Sequence, residues 1–457
     1  MAVAAEIDPR RLAALRQRED ERFVAARPRS LELREQGRTL MPYGVPMSWM
    51  ASLWDHPPLF VAEGHGATFT DVDGHSYLDF HIADTSAFCG HAPEPVTRAV
   101  AEQAARGAQF QLPTEDSLWV AAELASRWSL PQWQFTLSAT TANVEAIRLA
   151  RHATGRETVL MFDGKYHGHG DDTLVILDDD GESAPEYFGV PREASARARI
   201  VQFNDPDGLA RALASGDVAC VLAEPAMTNL TIVQPDPGFH EELRRLTREA
   251  GTLLVLDETH TLVCGPGGLV ARWRLDPDLV TIGKSIGGGI TVGAYGMTAE
   301  LAERFETHEG QYPASGDFAG EVATGGTLFA NALSMAACRA ALGEVLTPEA
   351  YERTAALGGR LADGIESAAV AAGLDWTAHR LYAKSGYWFG PELPRNALEA
   401  RGGDDLELRA YLRVALANRG IWEGGFWLGP AVSVAMEEAG VDRYAEALGE
   451  VLFELTS

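Results

Sequence analysis

"TIGKSIGGG", residues 281–289, sets one lysine between a β-branched apolar run and a cluster of glycines. Two chemistries use such a placement. Gly283-Lys284-Ser285 matches the end of a P-loop, where backbone amides wrap a nucleotide phosphate. Alternatively, Lys284 closes a buried strand and offers its amine to a carbonyl as a Schiff base. A P-loop needs another glycine five residues before Gly283, and Asp278 stands there. The residues just before Gly283, "LVTI", read as strand and cannot curl amides around a phosphate. The P-loop fails on its own geometry, and the strand end remains.

Other runs share the character of that strand. They are "WQFTL" (133–137), "TVLMF" (158–162), "RIVQF" (199–203), "VACVLAE" (218–224), "TLLVLDE" (252–258) and "GAYGMT" (293–298), with "LVTIG" (279–283) itself. Nearly continuous apolar strands are buried on both faces, as in a largely parallel sheet. Helical patterns alternate with them. "TANVEAIRLARHATG" opens on threonine N-cap candidates and stops at Gly155, and "GFHEELRRLTREAG" (238–251) ends the same way. The fold class is α/β: a large domain, residues 80–329, with a mostly parallel sheet between helices. Residues 1–79, with a hairpin expected at Asp73-Gly74, and the mostly helical 330–457 are expected to join into a smaller α+β domain.

Composition narrows the partners. Among 457 residues, 65 acids face 38 bases, a net charge of −27, which repels nucleic acid and anionic membrane. The four cysteines are far apart and form no CxxC pair, which suits a reducing compartment better than a disulfide framework or a zinc site. The first residues lack a signal-peptide apolar core, and no run is long and apolar enough to span a bilayer. A cytoplasmic protein is the expectation.

Asp257 ends the run before the one that carries Lys284. Parallel strands bring their C-terminal ends to one edge, where ligands bind. A lysine for an aldehyde and an acid for a pyridine nitrogen suit pyridoxal 5′-phosphate (PLP). Spacing alone leaves a structural ion pair equally open. "LSATTAN" (137–143) runs from strand through small residues into a helix, so its amides with Ser138 and Thr140 could take a phosphate. A plain threonine cap without ligand is the open alternative there.

The chain resembles the class III (subgroup II) PLP-dependent aminotransferases, nearest the glutamate-1-semialdehyde aminomutase branch. The likeness runs from about residue 40 to the C-terminus through "MPYGVPMSW", "TTANVEAIRLARHATGR", "FDGKYHGHGD", "AEPAMTN", "LDETHT", "PDLVTIGKSIGGGITVGAYG" and "GGTLFANALSMAA". The order and spacing of these pieces make the joint match specific. It implies a fold-type I enzyme with PLP on Lys284 and Asp257 at the ring nitrogen. Ala139 and Thr140 occupy the phosphate-binding positions, Tyr166 stacks on the ring, and Glu224 lies beside the cofactor. Glu258 would support the site's hydrogen bonds. Thr327 would reach the phosphate of a neighbouring subunit, which implies a homodimer with shared sites. His167 and His169 read as supporting hydrogen-bond partners, with no metal expected.

Three departures stand out. Thr141 replaces an acid that is common in the family. Thr259 and His260 follow Asp-Glu where a valine usually packs on the ring, and His260 could donate to the cofactor's phenolic oxygen. The segment "VPMSWMASLW" (45–54) lacks the family's carboxylate-binding arginine and offers Trp49 and Trp54 instead, with Trp427 in "GIWEGGFWLG" as a third aromatic. The expected function is an aminotransferase that moves an amino group from an amino acid or amine donor to a 2-oxo acid by a ping-pong mechanism. An aminomutase is the alternative. A PLP decarboxylase or epimerase, a non-catalytic PLP-binding protein and a metallohydrolase are weaker readings.

Overall fold

The computed structural model describes residues 7–307, 322–424 and 429–457. The chain divides into two compact units, Glu94–Pro348 with Pro394–Arg401, and Met1–Pro93 with Glu349–Leu393 and Gly402–Ser457.

In the first unit the seven apolar runs form one sheet. Its strands are β1 (Gln132–Thr136), β2 (Thr158–Phe162), β3 (Ala198–Val201), β4 (Val218–Ala223), β5 (Leu253–Asp257), β6 (Leu279–Ile282) and β7 (Gly293–Met297). Their spatial order is β1-β7-β6-β5-β4-β2-β3. All neighbours are parallel except β7, which runs antiparallel to both β1 and β6. Every residue of β2, β4, β6 and β7 is buried, which explains their lack of polar alternation.

Helix α1 (Ala139–Thr154) leaves β1 and packs on this sheet. Ala142, Ala146 and Ala150 on its inner face meet Val159, Met161, Cys220 and Leu222 in one core. Small alanines let the helix approach the strands closely, while each fully buried Leu or Val contributes about 1.5–3 kcal/mol. Its cap differs from the threonine expected. Ser138 is the N-cap: its Oγ accepts from the Thr141 amide at 3.3 Å, and Thr141 Oγ1 accepts from the Ser138 amide at 3.2 Å. Thr141, one of the departures noted above, thereby closes a capping box. Gly155 ends the helix at φ +66°. Helices Glu94–Arg106 and Ala332–Ala340 pack together in this same unit.

In the second unit, helix Pro9–Ala25 lies against Leu406–Ala417. Strands Thr68–Asp71 and Ser76–Asp79 pair antiparallel around Asp73-Gly74, the expected hairpin. An aromatic core of Phe23, Phe69, Tyr77 and Trp422 fills the space beside it. No described helix is long and apolar enough to cross a membrane.

Candidate active site

The parallel strands β1, β2, β4, β5 and β6 place the segments that follow them at one edge of the sheet. Register fixes two of these ends. Ala223 of β4 pairs with Leu256 of β5, and Asp257 pairs with Thr281 of β6. Glu224 therefore follows β4 level with Asp257, and Lys284 follows β6 three residues beyond the partner of Asp257.

Asp257 is buried and held on both carboxylate oxygens. Oδ2 accepts from Asn143 Nδ2 at 2.7 Å and from His167 Nδ1 at 2.9 Å, while Oδ1 accepts from the Thr259 amide at 3.0 Å and from the Thr259 hydroxyl. Burial alone would raise its pKa. The bond and positive field of His167, with Thr259 and Asn143, outweigh burial and bring it down to about 2. A deeply buried carboxylate is thus kept charged. Asn143 is itself fixed, because Thr281 Oγ1 donates to its Oδ1 at 2.6 Å.

Glu258, the next residue, faces elsewhere. It accepts from Thr261 Oγ1 and from the amides of Leu269 and Val270, at the start of the short helix Gly268–Trp273. Burial dominates here and pushes its pKa up to about 7. Its bonds therefore serve that helix and Thr261 rather than the Asp257 cluster.

Lys284 begins the turn after β6 with φ +51°, a left-handed conformation that costs a residue with a Cβ about 1–3 kcal/mol. Its Nζ contacts His260 Nε2. Gly283 permits this strand end to pass under α1, since a Cβ there would lie 2.9 Å from the Ala139 amide nitrogen. His260 Nδ1 lies 2.7 Å from Thr228 Oγ1, which donates to Glu224 Oε2.

The start of α1 lies at the same edge. Ser138 spends its hydroxyl on the capping box, whereas the amides of Ala139 and Thr140 belong to a first turn without intrahelical acceptors. Gly168 presses on Thr140 at φ +94°; a Cβ there would sit 2.2 Å from Thr140 Oγ1. The first-turn amides and the Thr140 hydroxyl are donors of the kind an anion takes at a helix N-terminus. Tyr166 is half-buried and meets His169 edge-on, with centroids 6.0 Å apart. His167, as noted, is turned to Asp257. Among the described residues, no three His, Cys, Asp or Glu side chains gather as a metal ion would require.

The other expected site residues have these surroundings. Thr327 is exposed, and its carbonyl accepts from Gln109 Nε2. Trp49 is half-buried in the four-residue helix Trp49–Ser52. Trp54 packs on the aromatic core of its own unit, 4.6 Å from Trp422 and 5.3 Å from His81 between ring centroids. Trp427 lies outside the described residues. Sequence reading missed Asn143 and Thr228. Asn143 carried a signal: it is a polar residue among alanines on the inner face of an amphipathic helix. Thr228 carried none.

The family model for aminotransferase class-III matches residues 50–373. A glutamate-1-semialdehyde 2,1-aminomutase from Chloroflexus aggregans is 34% identical over 422 residues, covering 87% of this chain and 91% of that protein. A solved glutamate-1-semialdehyde-aminomutase from Pseudomonas aeruginosa PAO1 is similar at TM-score 0.92 and 40% identity, covering 98% of this chain and 99% of that one. A lysine-to-alanine variant of that enzyme has been solved in complex with PMP. An omega-transaminase from Sphaerobacter thermophilus is similar at TM-score 0.85 and 31% identity, covering 94% and 98%.

Proposed function

The chain belongs to the class-III aminotransferase family, and from that premise we propose that it moves an amino group between adjacent carbons of one small amino aldehyde. This is the reaction class named for its aminomutase relatives. Its cofactor is pyridoxal 5′-phosphate. The residues present fit that group: the helix start at Ala139 and Thr140 suits a phosphate, and a buried, ionised Asp257 suits a protonated ring nitrogen. Bound there, the cofactor supplies an electron sink for charge that develops at the substrate carbon.

This chain's residues do the rest. Asp257 keeps a proton on the ring nitrogen, and Asn143, His167 and Thr259 aim its carboxylate. Lys284 holds the aldehyde and, when released, carries a proton to and from the substrate carbon. Ala139 and Thr140 hold the phosphate, with Ser138 ordering the turn beneath them. Tyr166 covers the ring face, and His260, backed by Thr228 and Glu224, meets Lys284. Thr327, exposed, serves a second subunit, which makes the active unit a homodimer.

The observation that carries this reading is the buried, charged Asp257 one strand from Lys284. Borohydride reduction and peptide mapping should put the pyridoxyl group on Lys284; a label elsewhere, or none, overturns the assignment. With glutamate-1-semialdehyde, the expected product is the isomer in which the amino group and the carbonyl oxygen have exchanged carbons, with no deaminated dicarbonyl compound released.

One observation favours a second reading, the aminotransferase that the sequence put first. Residues 45–54 hold no arginine to grip a substrate carboxylate, and Trp49 would favour a bulky apolar donor. The aminomutase relatives reverse that order. One equivalent of released oxo product per site, from a donor added without acceptor, would restore it.

A further inference from the structure

Lys284, His260, Thr228 and Glu224 form a continuous chain of contacts, three of them supplied by segments after adjacent strands β4 and β5. His260, Thr228 and Glu224 are all buried. Glu224 Oε2 receives two bonds, from the Thr228 amide at 3.1 Å and the Thr228 hydroxyl at 2.5 Å. Two donors on one oxygen match an ionised carboxylate, which can only accept. The single hydroxyl proton of Thr228 is therefore spent on Glu224, and only lone pairs remain for His260 Nδ1 at 2.7 Å. Nδ1 must carry hydrogen. At the other end, a lysine ammonium is a donor only, so the His260 Nε2 that faces it must accept. Both ends demand the same tautomer, and neither argument depends on the other.

We propose that Glu224 and Thr228 lock His260 in its Nδ1–H form, so that Nε2 takes a proton from Lys284. This rests on the reading of Lys284 as the cofactor-binding amine. The N–H bond at Lys284 Nζ breaks, a new one forms at His260 Nε2, and the positive charge moves to the imidazole. Glu224 Oε2, 3.9 Å from Nδ1, offsets that charge. The lysine nitrogen is left with a lone pair and can attack the aldehyde. His260 touches the reacting nitrogen; Thr228 and Glu224 act through it as positioning residues, because the hydrogen bond on one ring nitrogen decides what the other can do.

The test uses ¹⁵N-histidine NMR and the rate at which the full-length apo-protein captures PLP. His260→Gln identifies the His260 signals. The wild type should show the Nδ1–H tautomer. Thr228→Val keeps the shape but removes the hydroxyl, and should lose that signature and capture PLP about tenfold more slowly, the scale of one hydrogen bond to a group that becomes charged. Thr228→Ser should restore both. An Nε2–H tautomer in the wild type, or identical behaviour of the Val and Ser variants, overturns the proposal. If the tautomer is as stated but borohydride labels a residue other than Lys284, the lock stands, and both the reading of Lys284 and its proton transfer fall.

Discussion

Asp257 and Glu258 are adjacent carboxylic acids at the end of one strand, both fully enclosed, and the protein treats them in opposite ways. On one side, Asp257 meets three side-chain donors, one of them an imidazole, and stays charged down to about pH 2. On the other, Glu258 meets two backbone amides and a hydroxyl, and burial pushes it up to about 7. Each acid receives several hydrogen bonds, so their number does not separate them. A partner able to carry positive charge does, because it offsets the desolvation of the carboxylate where neutral donors only reduce it. One side of the strand end holds a charge; the other ties a short helix to the sheet.

The harshest way to break the contrast is to neutralise each acid. Asp257→Asn should lower kcat by about 10²–10⁴-fold, the range over which proton-placing groups act, whereas Glu258→Gln should lower it less than about tenfold. Steady-state kinetics on folded variants decide it, and equal losses would mean that both acids serve the same side.

Stability against pH gives the next largest effect. An unfolded glutamate releases its proton near 4.5, while the folded Glu258 holds it to about 7. The fold binds the extra proton in between and loses stability as pH rises through that window, by about 1.4 kcal/mol per unit of separation. Asp257 runs the other way: its contribution is complete above 3.8 and is lost as pH falls through about 2. Urea midpoints at about pH 5 and pH 7 should therefore differ more for the wild type than for Glu258→Gln. A parallel pair of curves would remove Glu258 from the neutral side of the comparison.

The finest probe exchanges one hydroxyl on each side. Thr259→Val removes a donor from Asp257 and should weaken PLP binding about fivefold, with ~1 kcal/mol for the bond. Thr261→Val removes a donor from Glu258 and should cost ~1 kcal/mol of folding stability while PLP affinity stays unchanged. Titration of the two apo-proteins with PLP, beside their urea midpoints, separates these outcomes.

Read locally, the chain already contained the strands. The seven apolar runs that form the sheet are visible because burial on both faces removes polar residues from each run separately, and a glycine marks the end of α1 for the same local reason. The stopping points of "TLLVLDE" and "LVTIG" likewise set Asp257 and Lys284 at neighbouring strand ends. What folding decided is who meets whom. Asn143 and His167 reach Asp257 across 114 and 90 residues of sequence. Thr228 reaches His260 across 32. Ser138, rather than a threonine, capped α1 because Thr141 stood where it could return the bond. Glu258 turned to a helix start, and Trp54 joined an aromatic core. Periodicity reports the surroundings of a segment averaged over its length, while a carboxylate's charge depends on the few atoms within a hydrogen bond of it. Those atoms come from distant segments, and only the folded chain brings them together.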